Sequence, residues 1–201
     1  EEITKEHHPI AKDLLMLATK NGQSIVFPIS ACRTMGRGTR GVRGITLSKD
    51  DEVISLLWLK PNNKVLTISE NGYAKRTEPD EYRITRRGGK GVKNLNITEK
   101  TGEAVFVESV ADDYDLIITS RDGQVIRIKA DSIRVTGRVS QGVKAITLRE
   151  GDLVQDATAL PSVEDLEQDS AESQESFKNV EDTLVEESSE MENDSVDFSE
   201  E

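Results

Sequence analysis

The chain has a single cysteine in 201 residues, Cys32, so no internal disulfide can form, which fits a reducing compartment. Aromatic residues make up only 4% of it, too few for a surface that grips single strands by base stacking. No apolar run approaches the roughly 18 residues of a membrane-crossing helix, and no basic segment followed by an apolar stretch marks a secretory leader, so no membrane partner is expected. His7 and His8 are the only histidines, and with one cysteine they fall short of the four ligands of a structural metal site. No G-x-x-x-x-G-K-S/T loop is present to hold nucleotide phosphates. No nucleophile, base and orienting group can be assembled from the motifs, so no catalytic residue is assigned.

Charge is plentiful but segregated. Residues 161–201 hold sixteen of the 38 acidic residues and one of the 26 basic ones, a net of −15. The chain total of −12 therefore leaves residues 1–160 with 25 basic against 22 acidic side chains, a mild +3. A basic body beside a strongly acidic segment points to a nucleic-acid partner, with the acidic segment as candidate regulator. Low hydrophobicity at high charge cannot offset the entropy of ordering, so 161–201 is expected to be a disordered tail. Residues 1–12 are polar and read as a linker.

What the body does have is a repeat of about fifty residues, present three times. Asn21-Gly22, Asn71-Gly72 and Asp122-Gly123 recur at spacings of 50 and 51, and so do Gly41-Val42, Gly91-Val92 and Gly142-Val143. Short apolar runs at 14–18, 65–68 and 116–118 lead into those Asn-Gly or Asp-Gly pairs, a hairpin signal in which both turn residues take positive φ. Return strands are expected at 24–27, 73–76 and 124–128. Third strands follow at 43–47, 93–97 and 144–148, where Ile45 and Leu47, Leu95 and Ile97, and Ile146 and Leu148 alternate with other residues. Fourth strands are expected at 53–59, 105–110 and 154–160. No segment has a sustained 3.6-residue period. Four short strands per repeat is the size of a propeller blade, giving an all-β body with blades at 13–60, 61–111 and 112–160. Three blades leave raw edges, and the chain opens on Glu1 rather than Met, so it is expected to be a piece of a longer polypeptide.

Between the second strand and Gly-Val, each copy carries a basic loop. The first holds Arg33, Arg37, Arg40 and Arg43, the second Arg83, Arg86, Arg87, Lys90 and Lys93, and the third Arg134, Arg138 and Lys144. Equivalent loops around an axis would form a curved positive stripe, suited to a bent phosphate backbone through many ionic contacts. Gly36, Gly38, Gly41, Gly88, Gly89 and Gly91 would let the backbone approach phosphate closely. Asp112, Asp113 and Asp115 lack the further oxygen ligands of a Ca²⁺ loop and read as a solvated turn.

The run Thr85-Arg86-Arg87-Gly88-Gly89-Lys90-Gly91 resembles the gyrase-A box, Q-R-R-G-G-K-G, with Thr85 in the place of Gln. The stretches ISENGYAKRT from Ile68 and MGRGTRGVRGI from Met35 also resemble the C-terminal domain of the bacterial DNA gyrase A subunit. The resemblance spans roughly residues 14–160. It implies a β-pinwheel, a propeller relative whose six blades exchange strands and whose basic rim wraps double-stranded DNA. It implies partners too: the remaining blades and the breakage-reunion domain of the gyrase A subunit, and the gyrase B subunit in an A2B2 complex. ATP and Mg²⁺ are implied for the whole gyrase and none for this chain. The location implied is the bacterial cytoplasm, beside the chromosome. The family's box lies in its first blade, whereas the best match here is in the middle copy, a later-blade version. The family's catalytic tyrosine has no counterpart, since Tyr73, Tyr82 and Tyr114 lack its R-Y-T context. The corresponding domain of topoisomerase IV, and a protein-interaction propeller of the kelch type, are the alternatives. The latter would favour aromatic and apolar rims over Arg and Gly.

Overall fold

The computed structural model describes residues 14–60 and 62–161. The expected linker at 1–12 and all but the first residue of the expected tail at 161–201 lie outside the described residues. Eleven strands form three antiparallel sheets. In the first copy these are β1 (Leu14–Thr19), β2 (Gln23–Pro28) and β3 (Val53–Trp58). The second has β4 (Lys64–Ser69), β5 (Tyr73–Thr77), β6 (Val92–Lys93) and β7 (Ala104–Val110). The third has β8 (Asp115–Ser120), β9 (Val125–Lys129), β10 (Val143–Lys144) and β11 (Val154–Leu160). The only helical pieces among the described residues are three-residue 3-10 turns at Ile29–Ala31, Pro79–Glu81 and Ala130–Ser132. The all-β expectation holds.

The hairpins depart from the expected turn type. Among the described residues Gly22, Gly72 and Gly123 have positive φ, but Asn21, Asn71 and Asp122 do not. Gly22 N–H donates to Thr19 O at 3.0 Å, and Gly72 and Gly123 repeat this bond to Ser69 and Ser120. The loop is therefore a three-residue one ending in a left-handed glycine. A tertiary contact favours it. The amide of Asn21 donates to the Asp51 carboxylate and that of Asp122 to the Asp152 carboxylate, while Asn71 N–H donates to Thr101 O. Burial of Asp152 is offset by a hydrogen bond from Ser120 and by backbone amides, which hold its carboxyl below the usual carboxylate range.

The expected third strands are the main correction. Residues 43–47 form no strand, and the other two copies form only two-residue strands, β6 and β10. Those two pair with the preceding copy: β6 adds to β2 and β10 to β5, so the sheet orders are β3-β1-β2-β6 and β10-β5-β4-β7. The third sheet, β11-β8-β9, has three strands among the described residues. The ladder stops early because Asn94 and Leu95 both donate to Gly22 O, and Ala145 and Ile146 both donate to Gly72 O. Two successive amides on one carbonyl cannot continue an extended ladder. The alternating apolar residues instead plug the core, with Ile45, Leu95 and Ile146 buried and Leu47 exposed.

Strands exchange sheets, so the copies are sewn together in series. β7 packs against both β3 and β11. Leu66, Ile68, Leu116, Ile118, Ile133 and Ile146 form a core shared by the second and third copies. Met16, Val26, Leu57, Val65 and Val107 form the one shared by the first and second. Each such buried side chain contributes about 1.5–3 kcal/mol. The free edge of β9 carries Arg127 and Lys129, both paired with Asp115, a charged edge that discourages strand addition.

Candidate nucleic-acid interface

The three basic loops each begin at a 3-10 turn and end where the chain reaches Gly-Val. Across 33–43, 83–93 and 134–144 stand twelve basic residues and no acidic one. Among the described residues none of the twelve lies within ion-pair distance of a carboxylate; the salt bridges found there use Lys20, Lys64, Arg76, Arg127 and Lys129 instead. Arg33, Arg37, Arg40, Arg43, Arg83, Arg86, Lys90, Lys93, Arg134 and Lys144 are exposed, and Arg87 and Arg138 are half-buried.

Neighbouring loops touch. Thr46 N–H donates to Gly89 O at 2.8 Å, Thr46 Oγ1 to Gly88 O at 2.7 Å, and Gly88 N–H to Gly44 O at 2.6 Å. Farther along, Asn96 N–H donates to Ser140 O at 3.5 Å. Thr85, where the gyrase box has Gln, donates its amide to Val26 O, and Thr136 does the same to Arg76 O. The box segment is thus bonded to the preceding copy on both sides.

Two residues with the same charge and adjacent numbers differ in use. Arg86 points its charge to solvent, whereas Arg87 donates Nε to Ala31 O at 3.2 Å and Nη1 to Arg43 O. Arg138 repeats this, donating Nε to Glu81 O at 3.1 Å and Nη1 to Lys93 O. These carbonyls accept the bonds without supplying a counter-charge. Gly91 also serves the joint between copies: it has φ +78°, and a Cβ there would stand 2.2 Å from Ser24 O. Gly142 meets Ala74 O in the same way, while Gly41 faces open space. Gly88 and Gly89 make no such close approach.

Lys75 is a residue that sequence reasoning missed. Its side chain is fully buried, and Nζ donates to Asn94 O at 2.6 Å, to Gly137 O at 3.4 Å and to Arg138 O. Three donors meet three carbonyls, with no carboxylate among them. Burial pushes the Lys75 ammonium down to about 8. Beside it Tyr82 donates to Asn94 Oδ1 at 2.6 Å, and burial pushes the phenol up. The signal was available: the aligned positions of the other copies hold Ile25 and Ile126, so a lysine there faces the core. Among the described residues no group of three His, Cys, Asp or Glu side chains is placed to hold a metal ion, and no helix is long and apolar enough to cross a membrane.

The family model described as DNA gyrase C-terminal domain, beta-propeller, matches residues 13–57, 63–111 and 114–161. The DNA gyrase A subunit of Fibrobacter succinogenes is 69% identical over 188 residues, 94% of this chain and 21% of that protein. The DNA gyrase A subunit of Staphylococcus aureus is 38% identical over 168 residues, 83% of this chain and 19% of that protein. The chain thus spans about a fifth of the length of these curated relatives. Among solved structures, a DNA gyrase A C-terminal domain superposes with a TM-score of 0.70 at 25% identity, covering 75% of this chain and 52% of that one. The C-terminal domain of a DNA topoisomerase IV gives 0.69 at 21% identity, covering 74% and 46%, a likeness of fold alone.

Proposed function

The chain belongs to the DNA gyrase C-terminal domain family, and on that premise we propose that it is the duplex-binding and duplex-bending part of a gyrase A protein. The observation that carries this reading is the series of three touching loops with twelve cations, no acid and, among the described residues, no ion pair. Loop cations left without ion pairs attract a polyanion from outside the protein, and releasing that polyanion's counterions drives binding. Arg and Gly with few aromatics suit backbone contact rather than base reading. Arg33, Arg37, Arg40, Arg43, Arg83, Arg86, Lys90, Lys93, Arg134 and Lys144 supply the exposed charge, while the Gly88 N–H is already taken by Gly44 O. The blades are taken as 13–60, 61–111 and 112–160, with 1–12 as linker.

Negative supercoiling would then depend on the rest of the enzyme in the bacterial cytoplasm: the breakage-reunion domain of the gyrase A protein, and the gyrase B protein with its ATP and Mg²⁺ in an A2B2 complex. A further blade is expected to pack on the first copy. Val53, Leu56 and Trp58 of β3 are 44%, 63% and 48% exposed, whereas the residues in the same register of β7, Ala104, Val107 and Ser109, are 2%, 1% and 6% exposed. The acidic segment 161–201 is read as a polyanion that lowers affinity for DNA.

The test is binding of the chain to a long linear duplex across a salt series. A steep fall of log affinity with log salt is expected, with the slope reduced by about one unit in Arg86→Ala, equally on duplexes of different sequence. Removing 161–201 should tighten binding at moderate salt. No binding, or a substitution that shifts sequence preference, would count against backbone contact.

A further inference from the structure

Arg87 and Arg138 make the same pair of bonds to equivalent carbonyls of the copy before their own. Ala31 and Glu81 end the 3-10 turns that open the first and second basic loops. Arg43 and Lys93 close those loops. Arg87 donates to Ala31 O and Arg43 O, and Arg138 donates to Glu81 O and Lys93 O. Each guanidinium therefore spans the mouth of the preceding loop. The second of these joints has one bond more, from Arg138 N–H to the Glu81 carboxylate at 2.6 Å.

We infer that Arg87 and Arg138 are staples between copies: positioning residues that hold shut the base of the preceding basic loop rather than ligands for phosphate. A planar guanidinium fits this task, because its donors diverge in fixed directions and reach two carbonyls at once. An ammonium on a flexible stem reaches one or the other. Tying the two ends of a loop together removes much of its freedom and so fixes where its other cations stand. The first loop thus has its cations set by an arginine of the second copy, and the second loop by an arginine of the third. The third loop has no such staple among the described residues. Arg37, the equivalent residue of the first copy, is exposed and holds no carbonyl there.

The staple itself does not depend on the DNA-binding reading; only its effect on affinity does. The test is limited trypsin digestion of the 201-residue chain without DNA, with cut sites mapped by mass, for wild type, Arg87→Lys, Arg138→Lys and Arg86→Ala. Trypsin suits it because every loop carries its own cleavage sites. A crossed pattern is expected. Arg87→Lys speeds cleavage after Arg33, Arg37, Arg40 and Arg43 by about fivefold or more, and Arg138→Lys does so after Arg83, Arg86 and Lys90. Arg86→Ala loses its own cut and leaves the rates at the other sites of both loops unchanged. Cuts at Lys64 and Lys75, inside strands, stay slow if the variants remain folded. Faster cleavage of a variant's own loop alone, equal change in every loop, or no change would overturn the staple. Duplex binding then separates the two readings. Arg87→Lys keeps its charge, so if the wild type binds, a loss of affinity in this variant reports loop position. A crossed digestion pattern in a chain that binds no duplex leaves the staple standing and removes the DNA reading.

Discussion

At the joint between the first two copies the positions beneath the loop are Ile25 and Val26, 1% and 2% exposed, whereas at the next joint the aligned positions are Lys75 and Arg76, 0% and 5% exposed. The frame is the same. Val26 bridges Ile84 and Arg76 bridges Val135, both in parallel, and both joints close with an arginine on two carbonyls. The contents differ in kind. The first joint has apolar side chains at these positions, and Val26 packs in one cluster with Tyr82 and Val92 of the second copy. The second is held by a buried ammonium on three carbonyls, and by Arg76, which donates Nε to Ile133 O at 2.7 Å and Nη2 to Asp131 O at 3.1 Å and pairs with Asp112. One backbone arrangement thus tolerates two ways of filling it. The polar way is directional, so it fixes the third loop in one place, and it carries the desolvation cost of its charges.

The largest effect is expected from Lys75→Glu, which sets a carboxylate against three carbonyl oxygens in a dry site. It should cost more than about 4 kcal/mol, seen as loss of the cooperative urea transition of the second joint. A chain that unfolds as before would mean that Lys75 reaches water.

A proton-linked effect of intermediate size separates the joints. The folded-state pKa of Lys75, about 8, lies below the ordinary 10.5, so the unfolded chain holds the proton more tightly. Below 8 both states are charged and the folded state bears the full cost. As pH rises from 8 to 10.5 the folded state sheds its proton first, and stability should climb, by about 3 kcal/mol. The measurement is the urea midpoint against pH for wild type and Lys75→Met. The climb should be missing from the variant, and a parallel climb in both would assign it to other groups.

The smallest effect is expected at Asp112. Its carboxyl is held below the usual carboxylate range, first by the hydrogen bond from Lys64 and then by Arg76. The Asp112 side chain is 58% exposed, so solvent screens the pair and Asp112→Asn should cost under about 1 kcal/mol. The contribution is present above the ordinary carboxylate pKa and fades as pH falls through the lowered value. Acid titration of stability in the two forms would check it, and a loss as large as that of Lys75→Glu would show that Asp112 anchors Arg76 outright.

The loops and hairpins were legible because their signals are local. Asn-Gly at a spacing of fifty marks a turn whatever surrounds it, although the hydrogen bond from Asn21 N–H to the Asp51 carboxylate favours a three-residue loop over the two-residue one. The alternation of Ile45 with Leu47 and of Leu95 with Ile97 marked Ile45 and Leu95 as core positions, but it gave no ladder and left Leu47 exposed, since burial and strand pairing give the same period. Lys75 sits in a strand, where a lysine usually faces water, and only its isoleucine counterparts hint otherwise. Arg86 and Arg87 cannot be told apart by type or charge.

The repeat, the all-β character and the separation of basic loops from acidic segment are written along the chain, because turn chemistry, periodicity and charge are properties of near neighbours. Which copy completes which sheet, and which cation holds a carbonyl rather than facing solvent, is settled only when the copies stack. Those choices join groups 44 to 71 residues apart. The direction of a donor and the position of its acceptor meet in the folded molecule and nowhere in the linear order.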